Sequence, residues 1–283
     1  MNPSLIDRAL ALLIRHPTEA GHAGPDSVRL SRQEALESWE RDPASLRGVD
    51  LTGIDLSEMT LSGADLSGAI LRDAILVGTD LRGANLSETS LSACDLSRSN
   101  LTGANLRNAN SLRGEGDHRP LKMRNAILAG ADLLGCNLEH ADLQEAELDG
   151  AFLREANLHA ARLKGARLER ADLQGANLRH ACLEGCHLAN ADLTNADLTR
   201  AQAARADLSD ATMRRAKLIH TDLRDADLAG ASLEEAFLIE ADLRGARLIG
   251  ADFTDADMDG VRLDTIDPTE VDLSRSRNLP SSS

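Results

Sequence analysis

ADLQGANLRHACLEGCHLANADLTNADLTRA, residues 171 to 201, is one short phrase repeated: Ala, a polar residue, Leu, then two further polar or small residues. Followed outward, the beat puts Leu or a stand-in at the centre of a five-residue unit at Leu46, Leu51, Leu56 and onward to Leu106, then from Met123 and Leu128 to Leu263. The residue two before each centre is usually Ala, sometimes Cys, Ser, Thr or Val, and the one between them is most often Asp or Asn.

A step of five excludes the regular elements. On an α-helix it turns about 500°, so successive Leu drift by about 140° and never form a stripe. On a flat strand an odd step flips the side chain to the other face each time. The chain must therefore bend once per unit. The Ala and the Leu point to one side and the Asp or Asn between them points away. The last two residues, as in Leu66-Ser67-Gly68 and Leu243-Arg244-Gly245, make the turn. Turns repeated in one sense close into a coil, and coils stack by parallel pairing at about 4.8 Å per layer, with Leu in columns. Periodicity alone leaves the number of units per coil open.

Composition agrees with a core built by repetition. Hydrophobic residues are 42% of the chain, yet there are three Phe, one Trp and no Tyr. A conventional interior interlocks aromatic and branched side chains at crystal-like density. A net charge of -15 and a pI near 4.9 disfavour direct binding to nucleic acid and suit attraction to a basic partner. Cys94, Cys136, Cys182 and Cys186 form no CxxC pair, so free thiols in a reducing cytoplasm are expected. The apolar run from Ala9 to Ile14 is too short for an ordinary signal peptide, and no stretch approaches a membrane span.

The consecutive A(D/N)Lxx units resemble those of the pentapeptide repeat family over about 80% of the chain. The resemblance implies an all-β solenoid, a right-handed quadrilateral β-helix with four units per coil. That makes about ten to eleven coils in a rod about 50 Å long. An N-terminal α-helical cap is expected before it.

The expected division is a helical cap at 1–43, a first β-helix segment at 44–111, a protruding loop at 112–122, a second segment at 123–273 and a tail at 274–283. In the cap, Ser4 to Arg15 has helical apolar spacing, and Ser31 with Glu34 forms a capping-box pattern before a second helix carrying Leu36 and Trp39. Val49, Ile54 and Met59 at one end and Val261, Ile266 and Val271 at the other replace the small Ala, as plugs of an open tube would. Phe253 and Met258 replace Leu near the C-terminal end, where several members of the family pair, so a homodimer through the C-terminal coils is expected. The phase slips by two residues across SLRGEGDHRPLK, Ser111 to Lys122. That stretch reads either as a neutral insertion or as a recognition tip carrying Arg113, Glu115, Asp117, His118 and Arg119. Ala203 is too small for its column, which predicts a void or an inward sag.

No Ser/His/Asp arrangement, phosphate loop or metal motif stands out, so no enzyme, cofactor or metal is expected. Cys182 should point outward and Cys186 inward, which keeps them from sharing a metal. His140, His180 and His220 fall before a corner of one face with about 10 Å between successive members, too far for a common ligand shell. Charge is more informative. After the loop, the two adjacent faces holding the Leu148 and Leu153 units each sum to about −5, well beyond the opposite pair with Leu138 and Leu143. Their acidic residues are Glu147, Asp149, Asp172, Asp192, Asp207, Asp210, Asp227, Glu234, Glu235, Asp252 and Asp255.

A rod as wide as a duplex with an acidic side offers a DNA-binding protein what DNA would offer. The chain resembles the Qnr and MfpA groups and the self-resistance proteins. That resemblance implies a DNA mimic that binds DNA gyrase or topoisomerase IV and protects it from a topoisomerase poison. Almost uniform Leu centres and a longer N-terminus depart from the Qnr group. The alternative is a non-catalytic scaffold that uses the β-helix as a rigid protein-interaction surface.

Overall fold

The computed structural model describes residues 30–111, 119–263 and 271–279. Within them the bridged residues run parallel and, except across the break after residue 111, lie twenty apart, as in Asp50 with Ile70 and Asp207 with Asp227. Four five-residue units therefore make one coil, and each unit stacks on its counterpart in the next. Each unit contributes a single bridged residue per wall, flanked by turns, in place of a long strand.

The unit Ala206 to Asp210 shows why five residues suffice, because all five of its amides find acceptors. Ala206 closes the preceding turn on Ala203 O at 3.1 Å. Asp207 donates to Cys186 O in the coil below at 2.8 Å, and Leu208 and Asp210 donate to Asp227 O and Ala229 O in the coil above at 2.7 and 2.8 Å. The amide of Ser209 is left over, and the Asp207 carboxylate takes it at 3.0 Å. A buried backbone that left one amide in five unpaired would be penalised at every unit. Asp or Asn before the Leu thus serves the backbone, although other residues hold this bridged position in some units, as Phe152 and Lys217 do.

The turn itself is type II: Ala211 N–H bonds Leu208 O at 3.1 Å, and Asp210 holds φ +55°. Gly fits that left-handed position without strain, as at Gly245 with φ +72°. His140, His180 and His220 occupy it with φ of +59°, +57° and +56°. There the amide bonds to the next coil, such as His180 to Thr199 O at 3.1 Å, hold the conformation.

Inside, the Leu columns are buried at 0–1% exposure with Ala beside them. Polar stand-ins for Ala are satisfied locally, since Thr79 and Thr221 hydroxyls donate to Leu56 O and Leu198 O at 2.9 Å. The Cys186 thiol donates to Leu163 O. The expected sag at Ala203 does not occur: its amide reaches Asp222 O at 2.8 Å, against 2.7 Å for Leu183 to Gln202 O one coil below. The backbone ladder thus holds the wall in place at Ala203. Ser111 is a second small centre, one the Leu beat alone did not count; its amide donates to Asn137 O at 3.1 Å.

The register break is resolved by pairing. Asp95 bridges Lys122, twenty-seven residues on, and Asn100 bridges Ile127 in the same way. The extra chain falls within the expected loop at 112–122, and two residues assigned to that loop belong to the wall. Leu121 is buried in the small-residue column and Lys122 is bridged to both Asp95 and Asp142.

At the N-terminal end, α1 (Arg32–Arg41) carries the expected capping box, with Ser31 and Glu34 bonded reciprocally. Ala35 is buried, Leu36 and Trp39 pack against the core, and Arg32 donates to Ser57 O at 2.6 Å. The large residues Val49, Ile54 and Met59 lie buried in these first coils. The expected helix from Ser4 to Arg15 lies outside the described residues. At the other end Phe253, Met258 and Val261 are buried, while Ile266 and Pro268 lie outside the described residues.

Candidate interaction surface

The acidic faces are made of two kinds of carboxylate. Asp172, Asp192, Asp207, Asp227 and Asp252 occupy the bridged position, and each accepts the amide two residues on, at 3.3, 3.0, 3.0, 3.0 and 2.9 Å. All but Asp252 are half-buried. Facing water is only one of their tasks. Their second task is to complete the turn, and the signal for it was present in the Ser or Thr that often follows two residues later, as at Ser209 and Thr254. Burial raises the pKa of Asp192, but bonds from the Thr194 hydroxyl and amide outweigh it and hold the group below its ordinary value. Glu147 stands in the same column position without such a bond and is exposed.

The others sit in the turns. Asp149 accepts the amide of Glu169 one coil up at 3.0 Å, the amide that Arg167 has no acceptor for, and pairs with Arg167 at 3.0 Å. Glu234 and Glu235 face Arg214, and Glu235 also binds Arg215 at 2.8 Å. Hydrogen bonds from Arg215 and Arg214 hold Glu235 down at about 2. Asp172 pairs with Arg154 and Asp227 with Arg247. Among the described residues, Glu147, Asp192, Asp207, Asp210, Asp252 and Asp255 remain outside the ion pairs that tie up the rest.

Magnitudes limit what this surface imitates. The two faces together offer about ten net negative charges over about 35 Å of rod. Asp267 and Glu270 contribute to that sum and lie outside the described residues. A duplex of that length carries about 20 phosphates. The acidic side therefore attracts basic surface at about half the charge density of DNA.

On the Leu138 face of the opposite side, part of the wall is held by a neutral ladder. Asn177 donates to Asn157 and Asn157 to Asn137 through their side-chain amides at 2.9 and 3.2 Å. His140, His159 and His180 meet edge to face, with ring centroids 6.0 and 5.5 Å apart. Among the described residues no group of three or more His, Cys, Asp or Glu is placed to hold a metal ion. Of the candidate loop residues, Arg119 lies 2.7 Å from Asp73 on the wall. Arg113, Glu115, Asp117 and His118 lie outside the described residues. Cys182 is half-buried, whereas Cys94, Cys136 and Cys186 are buried and burial raises their thiol pKa values, that of Cys136 to about 12. No helix among the described residues is long and apolar enough to cross a membrane.

A family model for pentapeptide repeats matches this geometry in eight copies, over residues 44–76, 74–110, 122–154, 153–190, 186–225 and 226–264. Among solved structures, HetL, a pentapeptide repeat protein involved in heterocyst differentiation regulation from the cyanobacterium Nostoc sp. strain PCC 7120, is 34% identical, with a TM-score of 0.51. The match covers 82% of this chain and 97% of HetL. A trypsin-treated variant of QnrB1, a plasmid-mediated fluoroquinolone resistance protein, is 18% identical over 71% of this chain and 89% of its own, with a TM-score of 0.36. A thylakoid-lumen pentapeptide repeat protein of Arabidopsis thaliana is 28% identical over 45% of this chain and 68% of its own, with a TM-score of 0.15. No curated protein sequence matches the chain.

Proposed function

The chain belongs to the pentapeptide repeat family, and from its rigid, unevenly charged wall we infer that it is a non-catalytic interaction rod whose acidic side engages a basic protein surface. The observation that supports this most directly is the set of carboxylates outside the ion pairs, Glu147, Asp192, Asp207, Asp210, Asp252 and Asp255, held on two adjacent faces by the backbone ladder. Side chains held in this way lose little freedom on docking. HetL, 34% identical, is described as involved in heterocyst differentiation regulation, a role that binding a protein partner would serve. In this reading α1 covers the open N-terminal end of the rod, and the C-terminal coils pair two copies.

A type II topoisomerase is the specific partner to test, because the acidic side has the sign and width of a DNA mimic. Purified protein is titrated into gyrase and topoisomerase IV supercoiling, decatenation and poison-induced cleavage assays. Relief of cleavage that weakens when Asp207, Asp210, Glu234 and Glu235 are reversed to Lys supports topoisomerase protection. No effect on either enzyme rejects it and leaves the regulatory rod, for which binding should fall with rising salt, as docking on an acidic face requires.

A further inference from the structure

Between the Leu153 face and the Leu138 face, near the C-terminal end, the wall opens into a cleft of about 420 Å³ lined by Asn195, Arg215, Lys217, Glu235, Phe237 and Arg277. Three cations converge here on a chain whose net charge is -15. They are held by different means. Arg277 donates through Nε to Asp255 O at 2.8 Å and through Nη2 to the same oxygen. Arg215 is clamped by Glu235 at 2.8 Å, while Lys217 Nζ stands 3.9 Å from Asp197 and is the least engaged of the three. Beside them Phe237 is 39% exposed.

A second observation comes from the column to which Lys217 and Phe237 belong. From Asn110 through Asn137, Asn157 and Asn177 to Asp197, every bridged residue of that column is Asn or Asp. Asn137, Asn157, Asn177 and Asp197 each accept the amide two residues on. Lys217 and Phe237 break the run in successive coils and supply no such acceptor to Ile219 or Ile239. Two turn bonds are forgone at the place where the cleft forms.

We propose that this cleft binds a small anion attached to a flat ring, with the ring against Phe237 and the anionic group between Lys217 and Arg277. The volume falls in the range of small-molecule sites, about 300–1,000 Å³. A ring on Phe237 next to fixed cations is the pairing that recognises nucleotides and aromatic acids alike. Glu235 lines the same cleft, but its charge is engaged by Arg214 and Arg215, and acidic residues beyond about 8 Å are largely screened at physiological ionic strength. The site borders the acidic side and shares Glu235 with it, but the anion is held by Lys217 and Arg277, so ligand binding and partner binding are read by separate variants.

The test is calorimetric titration of the full chain with adenosine monophosphate, benzoate, inorganic phosphate and adenosine. Phe237→Asn and Lys217→Asn are the informative variants, because Asn restores the turn acceptor of the column and so preserves folding, checked by thermal unfolding. Phe152→Asn is the control, an exposed ring on the Leu153 face remote from the cleft. Saturable binding of adenosine monophosphate or benzoate at or below about 1 mM is expected, with phosphate and adenosine alone at least about tenfold weaker. Both cleft variants should weaken it about tenfold or more, and Phe152→Asn should not. A preference for the nucleotide over benzoate, or the reverse, identifies the source of the anion. No saturable binding of either, phosphate binding as well as both, or cleft variants that bind like the parent would overturn the proposal.

Discussion

Replacing Asp172, Asp192, Asp207, Asp227 and Asp252 together, once by Asn and once by Ala, separates the two tasks of the acidic wall. Asn keeps the acceptor oxygen that takes the amide two residues on and removes the charge; Ala removes both. At Asp207 the oxygen accepts the Ser209 amide at 3.0 Å and the Ser209 hydroxyl at 2.6 Å. A hydrogen bond to a charged group is worth about 1.5–3 kcal/mol and one to a neutral group about 0.5–1.5 kcal/mol. Half-exposure puts each site toward the low end. Each Ala should then cost about 1–2 kcal/mol and each Asn under about 1 kcal/mol. The lost pairs of Asp172 with Arg154 and Asp227 with Arg247 are exposed and add about 0.5 kcal/mol each to both sets. Urea unfolding followed by far-ultraviolet circular dichroism should show the Asn protein folded near the parent midpoint and the Ala protein strongly destabilised. The folded Asn protein, less acidic by five charges, should bind a basic partner more weakly and with a shallower salt dependence. Equal destabilisation by Asn and Ala would refute the turn-acceptor account, and unchanged partner binding by the Asn protein would refute the electrostatic one.

Four further outcomes follow from the same geometry. If the fixed wall leaves room at Ala203, Ala203→Leu should raise stability by about 2 kcal/mol, from about 0.8 kcal/mol per added carbon, with Leu183→Ala costing about 3 kcal/mol; a less stable Ala203→Leu protein would mean that the column has closed. In the native protein a thiol reagent should label half-buried Cys182 and spare Cys94, Cys136 and Cys186 until denaturant is added, as thiol counting will show. Hydrogen bonds from Arg224 and Arg244 hold Asp222 and Asp242 below their ordinary value of 3.8 in the folded state. Their contribution is therefore complete above the unfolded value of about 4 and lost as pH falls toward the folded values, so the melting temperature should be level above about pH 5 and drop below about pH 4. If the C-terminal coils pair two copies, Leu279→Glu should shift the light-scattering mass from dimer toward monomer; Leu279 is 44% exposed at that end.

The coil was legible because period five admits one solution, a bend per unit, and because Leu at every centre leaves no other interior. The number of units per coil came from the resemblance and is confirmed by pairing at twenty residues. The capping box of α1 was legible for a similar reason, since Ser31 and Glu34 interact within one turn of chain. The meaning of each carboxylate was not. Asp207 and Asp210 are both acidic, yet the carboxylate of one accepts a turn amide while the other occupies the left-handed position of that turn, and Asp149 serves an amide twenty residues away. Where the chain rejoins the wall after Ser111 was also hidden, because Leu121 fits a loop or a column equally well until Asp95 selects Lys122. By itself, then, the sequence determined the interior and the turns, which depend on neighbours within five residues. Only the stacking of coils decided which charges are spent on ion pairs and which stand free. It also brought Arg215, Phe237 and Arg277 to one cleft, because side chains from successive coils meet at layer spacing however far apart they lie along the chain.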